Sequence, residues 1–411
     1  MTPNHTHCRI CRTKLPEPFL DLGSMPLANS FLRSTEEFRR EASYPLAVAL
    51  CPNCGLVQLN CVVPAEQLYR QYLYVSSTSD AVRHYAGDLA KRVVSLLKLG
   101  PKDRVVELGS NDGLVLKAFQ QQGVQVTGVE PARNLAAVAR ENGVPTVAEF
   151  FGEESAARVA KEYGPASMIL GRHVFAHIDD LHGFFRGVEK LLAPDGALLI
   201  EVPYLGTLLS QMEFDTIYHE HLSYLAIRPV QSLCEQHGFL VADIEKVPLH
   251  GGSVMFWIRR AGKGHSASAR LQAMVREEQA SKLTEPETWA RFAEQLETWK
   301  QSFEESVEAL SKEGARWIGY GAAAKANTLL NYCPSVAKHL AGVLDRNPLK
   351  QGSFTPGTHL PVLPPDAWEE GTADHMLILA WNFKEEILAQ MEPFAKKGGR
   401  FLVPIPRPEL V

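Results

Sequence analysis

The clearest periodicity lies in residues 80–98, where Val82, Tyr85, Leu89, Val93 and Leu97 fall at helical spacing and form one apolar stripe. Short apolar runs follow at 104–108, 124–129, 167–170 and 197–202, separated by helical stretches, and Pro194, Asp195 and Gly196 turn the chain into the last of them. Short apolar strands that alternate with helices predict a parallel sheet covered on both faces. Two more strands are expected at 239–245 and 253–260, with a kink at Gly251-Gly252. Residues 265–313 are rich in Glu, Gln, Ala, Leu and Lys and read as one or two helices. A second βαβ pattern starts at Arg316 and runs on through 342–345, 375–380 and 400–404. The segment before about residue 70 differs, being short apolar pieces broken by Pro and turn residues. The expected fold class is α/β: a small N-terminal module at 1–70, a central Rossmann-like domain at 71–262 and a second Rossmann-like domain at 263–411.

Composition narrows the function without naming it. The chain has 411 residues, more than one ordinary core holds. Its 45% hydrophobic and 22% charged residues argue for a folded protein rather than a disordered one. A net charge of −5 offers no basic field, so neither nucleic acid nor membrane is expected as a partner. No apolar run approaches the ~20 residues that span a bilayer, and the opening MTPNHTHCRICRTK lacks the apolar core of a signal peptide. A cytoplasmic protein, working as a monomer on a small molecule, is the expectation.

In that compartment cysteines serve metals more often than disulfides. Cys8-x-x-Cys11 and Cys51-x-x-Cys54 offer four thiolates, the donor set of a tetrahedral structural Zn²⁺. The connecting loop is longer than that of a compact zinc ribbon, which costs little loop entropy. His5, His7 and Cys61 are spare ligands, and reduced structural cysteines are the alternative reading. A metal staple also suits a segment too short to hold a core of its own.

Glu107, Gly109, Asn111 and Gly113 form an E-x-G-x-x-x-G loop between the first strand of the central domain and a helix. Small residues there let a ligand approach the backbone at a helix N-terminus. Glu130 ends the next strand, where a carboxylate can accept both hydroxyls of a ribose. A carboxylate at 107 repels a pyrophosphate but suits the cationic amino-acid end of S-adenosylmethionine, so that methyl donor is the expected cofactor. Phe150 and Phe151 follow the third strand and are placed to sandwich an adenine, with core packing as the alternative. His177 follows the fourth strand at the carboxyl edge of the sheet.

The segment Asp215 to Tyr224 (DTIYHEHLSY) is dense in ionisable groups. A His beside a carboxylate is a candidate base, and a Tyr can donate to an oxyanion. The H-E-H spacing of His219, Glu220 and His221 does not put two metal ligands on one helix face, as H-E-x-x-H does. A tyrosine- and serine-rich run at 69–79, containing Tyr72, Tyr74 and Ser76, is a candidate lid or an interdomain linker. Gly319, Gly321, Lys325 and Asn327 follow a late strand and open a helix, the layout of a diphosphate site, an NAD site or a purely structural unit.

Taken together, the cysteine pairs, Tyr72-x-Tyr74-x-Ser76-Ser77, the loop at 107–113, IYHEH at 217–221, His250-Gly251-Gly252-Ser253 and the late GYGAAAKA resemble the sugar-nucleotide C-methyltransferases of deoxysugar biosynthesis. The resemblance spans nearly the whole chain, and IYHEH with the cysteine pairs is its specific part. It implies methylation at C3 of a nucleotide-linked 4-keto deoxysugar, with dTDP as the carrier, through an enolate. It also implies His221 as base oriented by Glu220, and Tyr218, Tyr72 or His177 on the ketone oxygen or the sugar, Tyr218 as base being the alternative. Tyr74, Ser76, His250, Gly319, Gly321, Lys325 and Asn327 then face the substrate. Methylation at C5 or on oxygen, a non-catalytic zinc- and nucleotide-binding scaffold, and an oxidoreductase using the late glycine motif are the competing readings.

Overall fold

The computed structural model describes residues 5–411 except 73, 79, 248–250, 263 and 372. Three strands lie in the N-terminal module: β1 (Leu20–Pro26), β2 (Ser43–Leu50) and β3 (Val57–Leu59). Eight belong to the middle of the chain: β4 (Arg104–Leu108), β5 (Gln125–Val129), β6 (Thr146–Val147), β7 (Ala166–Arg172), β8 (Leu192–Pro203), β9 (Ser223–Tyr224), β10 (Phe239–Val247) and β11 (Ser253–Arg260). Six close the chain: β12 (Trp317–Tyr320), β13 (Leu340–Leu344), β14 (Val362–Leu363), β15 (His375–Ile378), β16 (Arg400–Val403) and β17 (Glu409–Leu410).

The central sheet runs β10-β11-β8-β7-β4-β5-β6. From β8 to β6 neighbours are parallel, and β11 enters antiparallel between β8 and β10. The Val, Ile and Leu side chains of β4, β5, β7 and β8 are buried, as a sheet covered by helices requires. Leu108 pairs with Val129 and Gly171, so the chain leaves β4, β5 and β7 at one edge of the sheet. The glycine loop, Glu130 and His177 all follow those strand ends and share that edge.

The stripe expected at 80–98 is helix Asp80–Leu97, which buries Leu89 and Val93 against the sheet, while buried Val82 lines the cavity described below. One turn differs from expectation. Pro194, Asp195 and Gly196 do not precede β8 but lie inside it, and the pairing with β7 shifts register between Ala166 and Met168 to accommodate them as a bulge.

Residues 265–313 form two helices, Ala269–Ser281 and Pro286–Lys312. The Ser268 hydroxyl caps the first by accepting from the Leu271 amide, and Pro286 opens the second. The long helix buries Trp289, Phe292, Leu296, Trp299, Phe303 and Val307. That stripe shares one core with β1–β3 and with the sheet ordered β14-β13-β12-β15-β16-β17. The N-terminal module thus has no core to itself, as its length and broken pattern imply. Its sheet takes a fourth strand from the middle of the chain, since β9 pairs with β3 through Val57–Tyr224 and Gln58–Ser223. Among the described residues no helix is long and apolar enough to cross a membrane.

Candidate active site

The loop after β4 is shaped by three left-handed residues, Gly109 (φ +62°), Asn111 (φ +52°) and Gly113 (φ +82°). Asparagine tolerates that region better than most side chains, and here it also has work for its amide. Asn111 Oδ1 accepts from the Ser76 amide at 2.9 Å, and its Nδ2 donates to the Tyr74 carbonyl at 3.0 Å. Asp112 Oδ2 accepts from the Ser77 amide. The tyrosine- and serine-rich segment is thereby fastened across the loop. At Gly109 a Cβ would sit 2.3 Å from Val174 Cγ2, whereas at Gly123 (φ +79°) it would meet nothing within 4 Å. Gly109→Ala is therefore expected to cost about 1–3 kcal/mol of stability and to weaken donor binding, with Gly123→Ala paying only for its backbone. Thermal melts with and without S-adenosylhomocysteine check both.

Two carboxylates flank this loop. Glu130 Oε2 accepts from the Asn111 amide at 2.7 Å and Oε1 from the Ala132 amide at 2.8 Å, which fixes the group at the end of β5. Burial raises its pKa and those two amides oppose the rise. Glu107 is buried, and its Oε2 has no partner among the described residues. Burial raises its carboxyl to about 8, with Arg172 opposing the rise. In the free protein this carboxyl's contribution to stability is present below its ordinary pKa and is lost as pH climbs through about 8. Binding of an ammonium group favours the ionised form and reverses the trend. Affinity for S-adenosylhomocysteine should then rise between about pH 6 and 7.5, and Glu107→Gln should flatten the profile. Calorimetric titrations across that range check it.

Phe150 and Phe151 both line the cavity described below. The Arg70 guanidinium lies 4.6 Å over the Phe150 ring, and Phe151 packs edge-on against Phe184 at 5.4 Å. Phe151 thus meets core aromatics on one side and open space on the other.

The acid–base cluster is held by a tight turn that ends at β9. His221 Nδ1 lies 2.8 Å from the Thr216 carbonyl, and Nε2 lies 2.9 Å from the Tyr218 hydroxyl. A carbonyl only accepts, so Nδ1 carries the proton and Nε2 presents its lone pair to the Tyr218 O–H. Burial lowers the His221 pKa well below the ordinary value and raises that of Tyr218, so a neutral imidazole faces an intact phenol. His177 stands beside them, its ring 5.0 Å from His221 and stacked at 5.4 Å on Tyr69. Burial brings its pKa to about 3, and its Nε2 is buried with no partner among the described residues.

Glu220 does not orient His221, contrary to expectation. Its Oε1 accepts from Asn29 Nδ2 at 2.6 Å and its Oε2 from the Tyr72 hydroxyl at 2.9 Å, while the Thr216 carbonyl takes the orienting position on His221. Successive residues in a turn point apart, so Glu220 faces the N-terminal module and His221 faces the cleft. His219 turns away as well, with Nε2 3.2 Å from the carbonyls of Tyr44 and Pro45.

A cavity of about 1160 Å³ joins these groups. Glu107, Gly109, Asn111 and Glu130 line it together with Tyr72, Tyr74, Ser76, His177, Tyr218 and His221. The second Rossmann-like unit contributes Ala323, Ala324, Lys325 and Lys350. Gly319 and Gly321 are not on its wall: a Cβ there would strike Leu379 at 2.8 Å and Ala380 at 2.5 Å, so they serve close packing of the strand and turn. Asn327 is also elsewhere. Its Nδ2 donates to the Ala28 carbonyl at 2.6 Å in a buried contact that ties the N-terminal module to this unit. His250 lies outside the described residues. Sequence reasoning gave no weight to Asn29, Arg172 or Lys350, whose places depend on contacts far along the chain, nor to Thr216, whose carbonyl meets His221 five residues on.

Cys8, Cys11, Cys51 and Cys54 converge, with all four Sγ atoms within 4.8 Å of one another. A tetrahedral zinc with Zn–S near ~2.3 Å needs sulfurs about 3.8 Å apart, which this cluster matches with small adjustment. The Ile10 amide points at Cys8 Sγ from 3.4 Å, as in a thiolate knuckle. Cys61 is not part of the cluster, and His5 pairs with Asp179. Arg9, buried beside the knuckle, donates to Gln58, the Leu59 carbonyl and Asp179, which binds the module to the central domain. Four protein thiolates leave no open position, so a metal here is structural.

Three family models match successive parts of the chain: a "Putative zinc binding domain" at residues 8–69, a "Methyltransferase domain" at 81–244 and a "C-methyltransferase C-terminal domain" at 248–406. The C-methyltransferase NovU of Streptomyces niveus is 36% identical over 404 residues, covering 98% of this chain and 96% of that protein. Among solved structures, the PH0226 protein of Pyrococcus horikoshii OT3 is 16% identical, covers 47% of this chain and 97% of its own, and has a TM-score of 0.37. A SAM-dependent methyltransferase from Geobacter sulfurreducens in complex with S-adenosyl-L-homocysteine is 15% identical, covers 42% and 90%, and has a TM-score of 0.32.

Proposed function

The chain belongs to the S-adenosylmethionine-dependent C-methyltransferases, and on that premise we propose that it methylates C3 of a dTDP-linked 4-keto deoxysugar through an enolate. One observation carries the reading: the donor loop, the Tyr218–His221 pair, His177 and Lys325 line a single cavity. A cavity of that size accommodates a donor and a sugar together, and enolate chemistry needs a base and an oxyanion donor beside the electrophile.

Bound at the loop, the donor supplies an electrophilic methyl group on a sulfonium. Glu130 takes the ribose hydroxyls, Glu107 the ammonium, and Phe150 and Phe151 the adenine. The C4 ketone acidifies the hydrogen on C3. His221 Nε2 is the proton acceptor, reached directly or through Tyr218, whose hydroxyl already donates to it. The C–H electron pair would become the enolate, and C3 would take the methyl group as the sulfur–methyl bond breaks and neutral S-adenosylhomocysteine leaves. His177 is assigned to the enolate oxygen, because its Nε2 has no partner among the described residues while the Tyr72 hydroxyl is committed to Glu220. Tyr72, Glu220 and Asn29 then form a fixed wall beside Tyr74 and Ser76. The amides that open helix Ala324–Tyr332, with Lys325, face the diphosphate. Zinc on the four cysteines supplies rigidity and no step.

Incubation with methyl-¹³C donor and a panel of keto sugar nucleotides, read by mass spectrometry and carbon NMR, tests the reading. A carbon-bound methyl at C3 is the expected product. A methoxy resonance, or transfer to no sugar nucleotide, contradicts it.

A further inference from the structure

Arg172 ends β7 and lines the same cavity as Glu107. Its side chain is nearly buried, at 8% exposed. Only Nε is tied down, donating to Glu201 Oε2 at 3.0 Å, and the guanidinium lies 4.9 Å over the Tyr85 ring. Glu201 is further held by the Tyr85 hydroxyl at 2.7 Å and by His173 at 3.1 Å. This scaffold fixes the plane of the guanidinium. Among the described residues no acceptor is paired with Nη1 or Nη2, and neither is a fully enclosed atom. Arg172 lines the cavity, and its two Nη atoms form the fork that can grip a carboxylate at two points. Glu107, within electrostatic reach of Arg172, lines the same cavity, and its buried Oε2 has no partner among the described residues.

We propose that Arg172 binds the α-carboxylate of the methyl donor while Glu107 binds its α-ammonium, so that this wall is a receptor for a zwitterion. The assignment rests on the reading of the 109–113 loop as the donor site. The charges balance: Arg172 with ionised Glu201 and Glu107 sums to minus one, and sulfonium, ammonium and carboxylate sum to plus one. A neutral purine or a nucleoside diphosphate would leave Arg172 or Glu107 unanswered.

The test compares S-adenosylmethionine with its decarboxylated form, which keeps the sulfonium and amine, by calorimetry on the full zinc-loaded chain. The wild type is expected to prefer the intact donor by about 30-fold or more. Arg172→Met should abolish that preference while changing affinity for the decarboxylated form by less than about threefold, and Arg172→Lys should restore part of it. Equal weakening of both ligands in the variants would mean that Arg172 only supports Glu201, and the proposal would fall. So would a wild type that does not discriminate, a result that needs no variant to fold. If neither ligand binds the wild type, the donor-site reading fails along with it. If both bind without discrimination, that reading stands and the role of Arg172 alone is refuted.

Discussion

Asparagine in place of His221 is expected to lower the methyl-transfer rate constant by about 10²–10⁴-fold, with the donor's Kd nearly unchanged. Asparagine can keep a hydrogen bond to the Thr216 carbonyl but has no basic nitrogen to face Tyr218. Donor binding is spared because His221 is hydrogen-bonded to Thr216 and Tyr218 and not to Glu107, Asn111 or Glu130. Tyr218→Phe separates the two candidate bases. If the phenol only relays, its loss leaves Nε2 of His221 open to the substrate and the rate falls less than in the asparagine variant. If the phenol is the base, the order inverts. Burial keeps His221 neutral by depressing its pKa, so its proton-accepting form persists below the ordinary histidine range. Stopped-flow or quench measurements of single-turnover methyl transfer, with donor affinity measured in parallel, read both variants.

Removing the metal is the second large effect. Cys54→Ser is expected to yield a protein with less than one equivalent of zinc and with activity near background. A structural zinc contributes about 10–16 kcal/mol of apparent binding free energy, comparable to or above the whole stability of a domain. Without the metal the two knuckles lose their common centre, and the damage reaches the active site by three routes. Asn29 donates to Glu220, Phe31 lies 5.2 Å from the Lys350 ammonium, and β3 pairs with β9 immediately after the turn bearing Tyr218 and His221. Metal content by atomic absorption, limited proteolysis of the first 70 or so residues, and turnover under saturating donor check this. A zinc-free variant with full turnover would show the module to be dispensable.

Local patterns were legible where one residue's neighbours lie close in the chain. The stripe at Val82, Leu89 and Val93, the strands flanking the loop at 109–113 and the two cysteine knuckles follow from short-range periodicity and spacing. The long helix Pro286–Lys312 was visible as a helical composition, but not its role of joining two sheets around one core. What the pattern missed depends on pairs distant in sequence. Asn29 meets Glu220 across 191 positions, and Arg9 meets Asp179 across 170. Neither asparagine nor arginine carries a periodic signal, so nothing local marked them. The role first given to Glu220 failed for a related reason. Adjacency in H-E-H suggests contact, yet the turn that sets Thr216 under His221 sends the intervening carboxylate the other way. Asn111 shows the converse. Loop spacing alone assigns no effect to an asparagine at that position, and in three dimensions its amide binds the 74–76 segment.

The central claim is that the Tyr218–His221 pair removes a proton from carbon beside a ketone. Incubating the full chain with a dTDP-linked 4-keto deoxysugar in heavy water, without methyl donor, and following the sugar protons by NMR measures that step alone. Deuterium should enter at C3 with the wild type and should not enter with His221→Asn. Exchange at C5 instead would move the site of attack, and a wild type that exchanges no carbon-bound hydrogen while still transferring methyl groups would contradict the account.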